Sequence, residues 1–346
     1  VSVRVGRRGA AVIAHRYDDF PVGAGDLDLR GDTSAPLDAT LTILQRFTPS
    51  TEETAGYGDV AGDLSLRQTL GGLFGVDAGH VVVTVGGSEA LHLALTCLTD
   101  PGDPIALPRP AFPGYDQLAH LAGLRPVHYP VPGPLPAPTG MPLLVCTPHN
   151  PTGVTTNPTQ VADRPGGVIW DVCHSSLTAP QIDGVRAALQ RGDVVVFSLS
   201  KLLRLPGLRI GCLIAADAAF IGAAVAVKTH LSMSVDLLAQ RLAGQILTHP
   251  GALKEVAARS RGIGENRGRV LEAVAGCAAL DAVAAKDGTF VYLQAPDGCD
   301  AARLLHQAGV IGLPGTVFNG TPSSVRLCIA QNPDVIDQTI ERITDL

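Results

Sequence analysis

SLSKLLRLPGLRIG, residues 198–211, follows directly on the apolar run Val194-Val195-Val196-Phe197. Four large hydrophobic residues without polar alternation predict a strand buried on both faces of a parallel sheet. A lysine just beyond such a strand points into the crevice at the strands' carboxyl ends, where open α/β sheets bind ligands. Ser198 stands three residues before Lys201, and Arg209 eight residues after it. A hydroxyl, an amine and a guanidinium around one strand–loop–strand unit suit a phosphorylated aldehyde. The amine takes the carbonyl as a Schiff base, while Ser198 and Arg209 hold the phosphate. Taken alone, the same residues also read as the exit of a buried strand with ordinary surface cations.

The chain around this stretch has 346 residues, 46% of them hydrophobic, enough for a sizeable core in one large or two modest domains. A net charge of −6 and the lack of any basic block argue against nucleic acid as a partner. No apolar run approaches the roughly 18–20 residues that span a bilayer, so no membrane partner is expected. The start, VSVRVGRRGAAVIAHRYDD, sets arginines before the short patch AAVIA, too brief for a signal peptide, and reads as an arm or short strand. The seven cysteines show no C-x-x-C spacing and lie mostly in apolar segments. Free buried thiols in a reducing cytoplasm fit them better than disulfides or a metal site, so no metal is expected.

Several segments before and after the lysine stretch pair a strand end with a polar or aromatic residue. VVVTVGGSEALHLALTCL, 81–98, reads as strand, Gly-rich turn and helix, the helix beginning near Ser88. Gly86 and Gly87 let backbone approach an anion that the helix amides and dipole favour, and Glu89 suits the first helical turn. YGDVAGDLSLRQTLGGLFGV, 57–76, places Tyr57 at a Gly-rich turn before an amphipathic helix marked by Leu64, Leu66, Leu70 and Leu73. DPIALPRPAFPGYDQL, 103–118, is a strand followed by Phe112 and Tyr115. An aromatic there can lie on a flat ring or simply be core. The Pro-rich stretch 126–142 reads as a rigid surface connection. PLLVCTPHNPTG, 142–153, delivers Asn150 from a buried strand into a turn stiffened by Pro151 and Gly153. VIWDVCHSS, 168–176, puts Asp171 at another strand end. Only seventeen residues separate Gly153 from Asp171, so a crossover helix there should be very short or missing. From about 228 the pattern changes to long amphipathic helices, then to alternating short strands and helices that include Arg326 in VRLCIA.

Ser-x-x-Lys with Arg eight residues on, inside S-x-S-K-x-x-x-x-P-G-L-R-x-G, resembles the lysine motif of the class I/II aminotransferases, most nearly the histidinol-phosphate aminotransferases. These are fold-type I enzymes that use pyridoxal 5′-phosphate (PLP). The resemblance extends over about residues 57–330, with the motifs in family order. It implies that Lys201 carries the cofactor and then works as acid–base, and that Asp171 pairs with the pyridine nitrogen. It implies a phosphate cup of Gly87, Ser88, Ser198 and Arg209, with Glu89 beside it and Tyr57 reaching in from a partner subunit. Phe112 would stack on the ring, Asn150 would bond the phenolic oxygen, and Arg326 with Asn150 would grip the substrate carboxylate. Many aminotransferases carry tyrosine three residues after the acid. Here it is His174, and Asp-x-x-His-Ser resembles the α-oxoamine synthase branch of the fold. The family's Asn-rich turn before a proline is replaced by Asp32-Thr33-Ser34-Ala35-Pro36.

The fold expected is α/β: a mainly parallel seven-stranded sheet flanked by helices in a large domain, plus a small α+β domain. Residues 1–40 would be an N-terminal arm belonging to the small domain, 41–230 the large PLP-binding domain, and 231–346 a linking helix and the C-terminal small domain. The expected activity is transfer of an amino group between an amino acid and a 2-oxo acid by a cytoplasmic homodimer. Two rivals stand beside it: another PLP-dependent chemistry, such as a decarboxylase, lyase, cyclase or oxidase, and a non-catalytic PLP-binding module.

Overall fold

The computed structural model describes residues 10, 12–13, 21–32, 36–49, 55–161, 164, 167–283 and 285–346. Half of the expected N-terminal arm, including Thr33, Ser34 and Ala35 of the turn before Pro36, lies outside the described residues.

After a short first strand, β1 (Leu27–Asp28), seven strands build the main sheet: β2 (Val81–Val85), β3 (Pro104–Arg109), β4 (Arg125–Pro130), β5 (Leu143–Cys146), β6 (Val168–Asp171), β7 (Val194–Ser198) and β8 (Ile210–Ala215). Their order is β2-β8-β7-β6-β5-β3-β4. All neighbours run parallel except β8, which is antiparallel to β2 and β7. In β7, Val195 and Phe197 face one core with Phe74 and Trp170, while Val194 and Val196 face the other with Leu91, Leu107 and Ile169. Burial on both faces is why the run carries no polar residue. Phe197 meets Phe74 edge to face at 5.4 Å, a contact worth about 0.5–1.5 kcal/mol beyond its buried area. Phe74 is held there by the helix Leu64–Phe74, which starts on the Asp63 carboxylate accepting the Leu66 N–H and stops at Gly75, φ 75°.

Two local expectations differ. Residues 126–130, expected as part of a connection, belong to β4 (Arg125–Pro130) at the sheet edge, paired only with β3. Pro126 and Pro130 hide it in the sequence, because proline is tolerated on an edge strand and its residues are mostly solvent-facing. The phosphate-type helix begins at Gly86, two residues earlier than expected, its first turn built from the two glycines. The shortened crossover is as anticipated: between β5 and β6 the described residues hold one 3₁₀ turn, Pro158–Val161, and no α-helix.

The remaining strands are β9 (Asp281–Val283), β10 (Phe290–Gln294), β11 (Val310–Ile311), β12 (Leu313–Pro314) and β13 (Ser324–Cys328). Strands β12-β13-β10-β9 form an antiparallel sheet against the helices Ala252–Ala275 and Pro333–Thr344. Its core contains Ile263, Val270, Val291, Leu293, Val325, Leu327 and Ile336. Leu29 joins this second core where β1 pairs with β11, whereas Leu37 and Ala39 join the main one. The helix Leu237–Thr248 packs Leu242, Ala243, Ile246 and Leu247 on the main core.

Candidate active site

A cavity of about 560 Å³ opens at the carboxyl ends of β5, β6 and β7 and is closed on its far side by Phe290, Leu313 and Arg326. Parallel register explains the convergence: Cys146 is paired with Asp171, and Asp171 with Val196, two residues before Ser198. Strands that end together project their following residues into one crevice.

Lys201 lies in a single helical turn, Leu199–Leu202, N-capped by Ser198, whose hydroxyl accepts the Ser200 N–H. Its side chain lines the cavity. Burial, then the positive charge of Arg326, holds its amine below the usual lysine range. Arg209 follows a 3₁₀ turn in the left-handed region, φ 57°, and its guanidinium lies against Gly86. A Cβ on Gly86 would fall 2.6 Å from Arg209 Nη2, and one on Gly87 would fall 2.6 Å from Cys173 Sγ. Gly86 also has φ +70°, so this turn admits no side chain on either count. The helix that begins here has no side-chain cap, and Gly87 and Ser88 line the cavity.

Asp171 is 5% exposed. Its Oδ2 accepts the Tyr115 hydroxyl at 2.7 Å and its Oδ1 the Cys173 N–H at 2.9 Å. Burial raises its pKa against the pull of those hydrogen bonds. Among the described residues no cation stands within ion-pair reach of it. Phe112 lines the cavity beside Tyr115, ring centroids 5.5 Å apart.

Arg326, on β13, donates from Nη1 to Asn150 Oδ1 at 2.9 Å and from Nη2 to the Arg30 carbonyl at 2.7 Å. Its guanidinium lies over the Phe290 ring, 3.8 Å from the centroid, the geometry of a cation–π contact. His174 meets the same ring edge-on at 5.1 Å. Burial first, then the charges of Lys201 and Arg326, push the imidazole pKa down to about 3, so it is neutral at ordinary pH. Its Nδ1 is buried with no partner among the described residues.

Ten of the residues singled out from sequence line this one cavity: Gly87, Ser88, Phe112, Asn150, Asp171, His174, Ser198, Lys201, Arg209 and Arg326. Two do not. Tyr57 is 88% exposed and stands outside it. Glu89 turns away, its carboxylate taken by Lys228 and Ser232 instead. Sequence reasoning missed the wall of Asp28, Arg30 and Arg259. Asp28 and Arg30 form a bidentate pair. Arg259 joins Arg204 on the Asp32 carboxylate and donates to the Lys201 carbonyl at 3.3 Å. Only the charged pair at alternate positions of Asp28-Leu29-Arg30 could have signalled this wall; Arg259 sits in a long helix without any motif.

The family model for aminotransferase class I and II matches residues 18–343. The chain belongs to this family. It is similar to capreomycidine synthase of Streptomyces vinaceus, 31% identical over 296 residues that cover 75% of this chain and 73% of that one. It is also similar to 4-dedimethylamino-4-oxo-anhydrotetracycline transaminase OxyQ of Streptomyces rimosus, 26% identical over 89% of this chain and 91% of that one. The solved aspartate aminotransferase from Thermus thermophilus with maleate superposes with a TM-score of 0.83 at 24% identity, covering 99% of this chain and 100% of that one, a likeness of fold. Class I and II aminotransferases are PLP-dependent transferases that move an amino group between an amino acid and a 2-oxo acid, and this chain is one of them. The cavity fits that cofactor. The buried Asp171 carboxylate, with no cation in reach among the described residues, suits a protonated ring nitrogen, and the Gly86–Gly87 turn beside Arg209 leaves backbone room for a phosphate.

Proposed function

We propose that amino-group transfer runs on Lys201 and Asp171 in composite sites of a homodimer. The observation that carries this reading is the presence, in one cavity, of a desolvated lysine amine and a buried carboxylate that has no cation beside it among the described residues. Gly87, Ser88, Ser198 and Arg209 would take the phosphate. Asp171 would hold the proton on the ring nitrogen, with Tyr115 fixing the carboxylate from behind. Phe112 would cover the ring face, Asn150 and the neutral His174 would bond the phenolic oxygen, and Arg326 with Asn150 would orient the substrate carboxylate.

When bound, the cofactor supplies the carbonyl that takes the amino group and a ring that accepts the electrons left at the α-carbon. Lys201 Nζ, depressed by burial and by Arg326, is closer to its neutral, nucleophilic form than an exposed lysine. With substrate in place, the same nitrogen would take the α-proton and return it on the product side. Arg326, stacked on Phe290, would hold the substrate carboxylate in a fixed orientation relative to that nitrogen.

The exposure of Tyr57 supports a role outside its own subunit, as do the exposed Leu231, which ends the helix Ala218–Leu231, and Met233 just beyond it. Mixing a Lys201→Ala variant with a Tyr57→Phe variant should restore part of the cofactor binding in heterodimers; an active protein that sediments as a monomer would exclude composite sites. Transfer itself is tested by one half-reaction. The PLP-loaded protein given an amino acid alone should release one equivalent of 2-oxo acid per site. Carbon dioxide or a cyclised product without 2-oxo acid would favour the second reading, another PLP chemistry, which draws support from His174 and from similarity to a protein named a synthase.

A further inference from the structure

Glu89 stands in the first turn of the helix Gly86–Leu98, the helix whose amino end opens on the cavity through Gly87 and Ser88. A carboxylate at that end repels any anion bound there. Yet its Oε2 accepts the N–H of Val85, the residue that caps the helix. This contact satisfies the first unpaired amide and leaves the amides of Gly87 and Ser88 for another acceptor. The negative charge is met on the side away from the cavity. Lys228 is 0% exposed, with Nζ 2.9 Å from Glu89 Oε1 and 2.8 Å from Ser232 Oγ. The Ser232 hydroxyl donates to the same carboxylate oxygen. Lys228 closes the helix Ala218–Leu231, and its carbonyl accepts the N–H groups of Ser232 and Met233.

The turn held this way has little freedom. Gly86 is pressed by Arg209 on one side and Gly211 on the other, where an added Cβ on Gly211 would fall 2.5 Å from the Gly86 carbonyl carbon. A buried ion pair is poor value as mere glue, since an apolar pair of equal volume often stabilises as well. What an apolar pair cannot do is offer an acceptor to Val85 while adding no net charge beside an anion.

We propose that Glu89 and Lys228 form a charge-neutral latch that positions the phosphate cup, both acting as positioning residues that touch no cofactor atom. The proposal rests on the reading of this cavity as the PLP site. It also explains why Glu89, expected beside the cup from sequence, has its carboxylate behind it.

The test compares PLP with pyridoxal, which attaches to a lysine but has no phosphate. Both are titrated into cofactor-free wild type, Lys228→Met, Glu89→Gln and the double variant, with fold checked by circular dichroism. Wild type should prefer PLP strongly; binding of neither ligand would overturn the cofactor reading and the latch with it. Lys228→Met leaves Glu89 unanswered and should weaken PLP at least about tenfold while changing pyridoxal less than about twofold. Adding Glu89→Gln should recover most of that loss. A Lys228→Met variant with the wild-type preference for PLP over pyridoxal would overturn the latch while leaving the cofactor reading intact, and so would a double variant no better than the single. Should Lys228→Met fail to fold, Glu89→Gln decides: it retains an acceptor for Val85 beside the cation, so the preference should hold or rise, and a tenfold fall would overturn the proposal.

Discussion

The two ends of the cavity are built in different ways. At the end proposed to hold the phosphate and ring, Asp171 ends β6, Ser198 ends β7, Lys201 follows within one helical turn, and Gly87 follows β2 by two residues. Each position is inherited from the register of one sheet. At the end proposed to take the substrate carboxylate, Arg326 rises from the antiparallel sheet and finds Asn150 at 176 residues' separation and the Arg30 carbonyl at 296. That end exists only where the two cores meet. The first end is thus fixed by local geometry, the second by tertiary docking, and chemistry should depend most on the first while substrate capture depends on the second.

The largest effect on this comparison should come from Asp171→Ala. The phosphate cup and Lys201 are untouched, so PLP should still attach, but exchange of the substrate α-proton for deuterium should fall about a hundredfold or more, because charge flows toward the ring nitrogen as the C–H bond breaks. Native-rate exchange would mean that the sheet end does not supply the electron sink, and His174 would be the next residue to change.

Next comes Arg326→Leu, which should act mainly on capture. Charge-assisted hydrogen bonds contribute about 1.5–3 kcal/mol each, so KM for the amino acid should rise roughly tenfold to a hundredfold for the loss of one such bond. The same variant carries a pH signature. Arg326 helps hold the Lys201 pKa down, so removing its charge makes the protonated amine more favourable. The pH at which PLP attaches by half should therefore move upward, read from the absorbance of the bound cofactor. No shift, or a downward one, would separate the two ends electrostatically.

The smallest effect expected is that of Asp32→Asn. It removes the carboxylate shared by Arg204 and Arg259 at the rim between the cores. Partly solvated pairs contribute little, so a urea melt should lose about 1 kcal/mol or less. A collapse of the folded state would show that docking of the cores hangs on this contact.

What could be read from sequence follows the same division. Lys201, Arg209, Asp171 and Asn150 were legible because strand, turn and functional residue are contiguous, so a short window carries the whole geometry. The edge strand β4 was not, since Pro126 and Pro130 mimic a connection. The helix start at Gly86 was placed late because glycines give no helical signal, although here they are what lets the backbone turn beside Arg209. Nor could the wall of Asp28, Arg30 and Arg259 be read, or the turning of Glu89 toward Lys228, 139 residues away. Those pairings arise from the meeting of separate elements and leave no periodicity or spacing in the chain.

The central claim is that Lys201 carries the cofactor. Borohydride reduction of the PLP-loaded protein, followed by digestion and mass spectrometry, tests it most directly. The account predicts one pyridoxyl group per chain, on the peptide containing Lys201. Its recovery on Lys228, Lys254 or Lys286, with Lys201 unmodified, would contradict it.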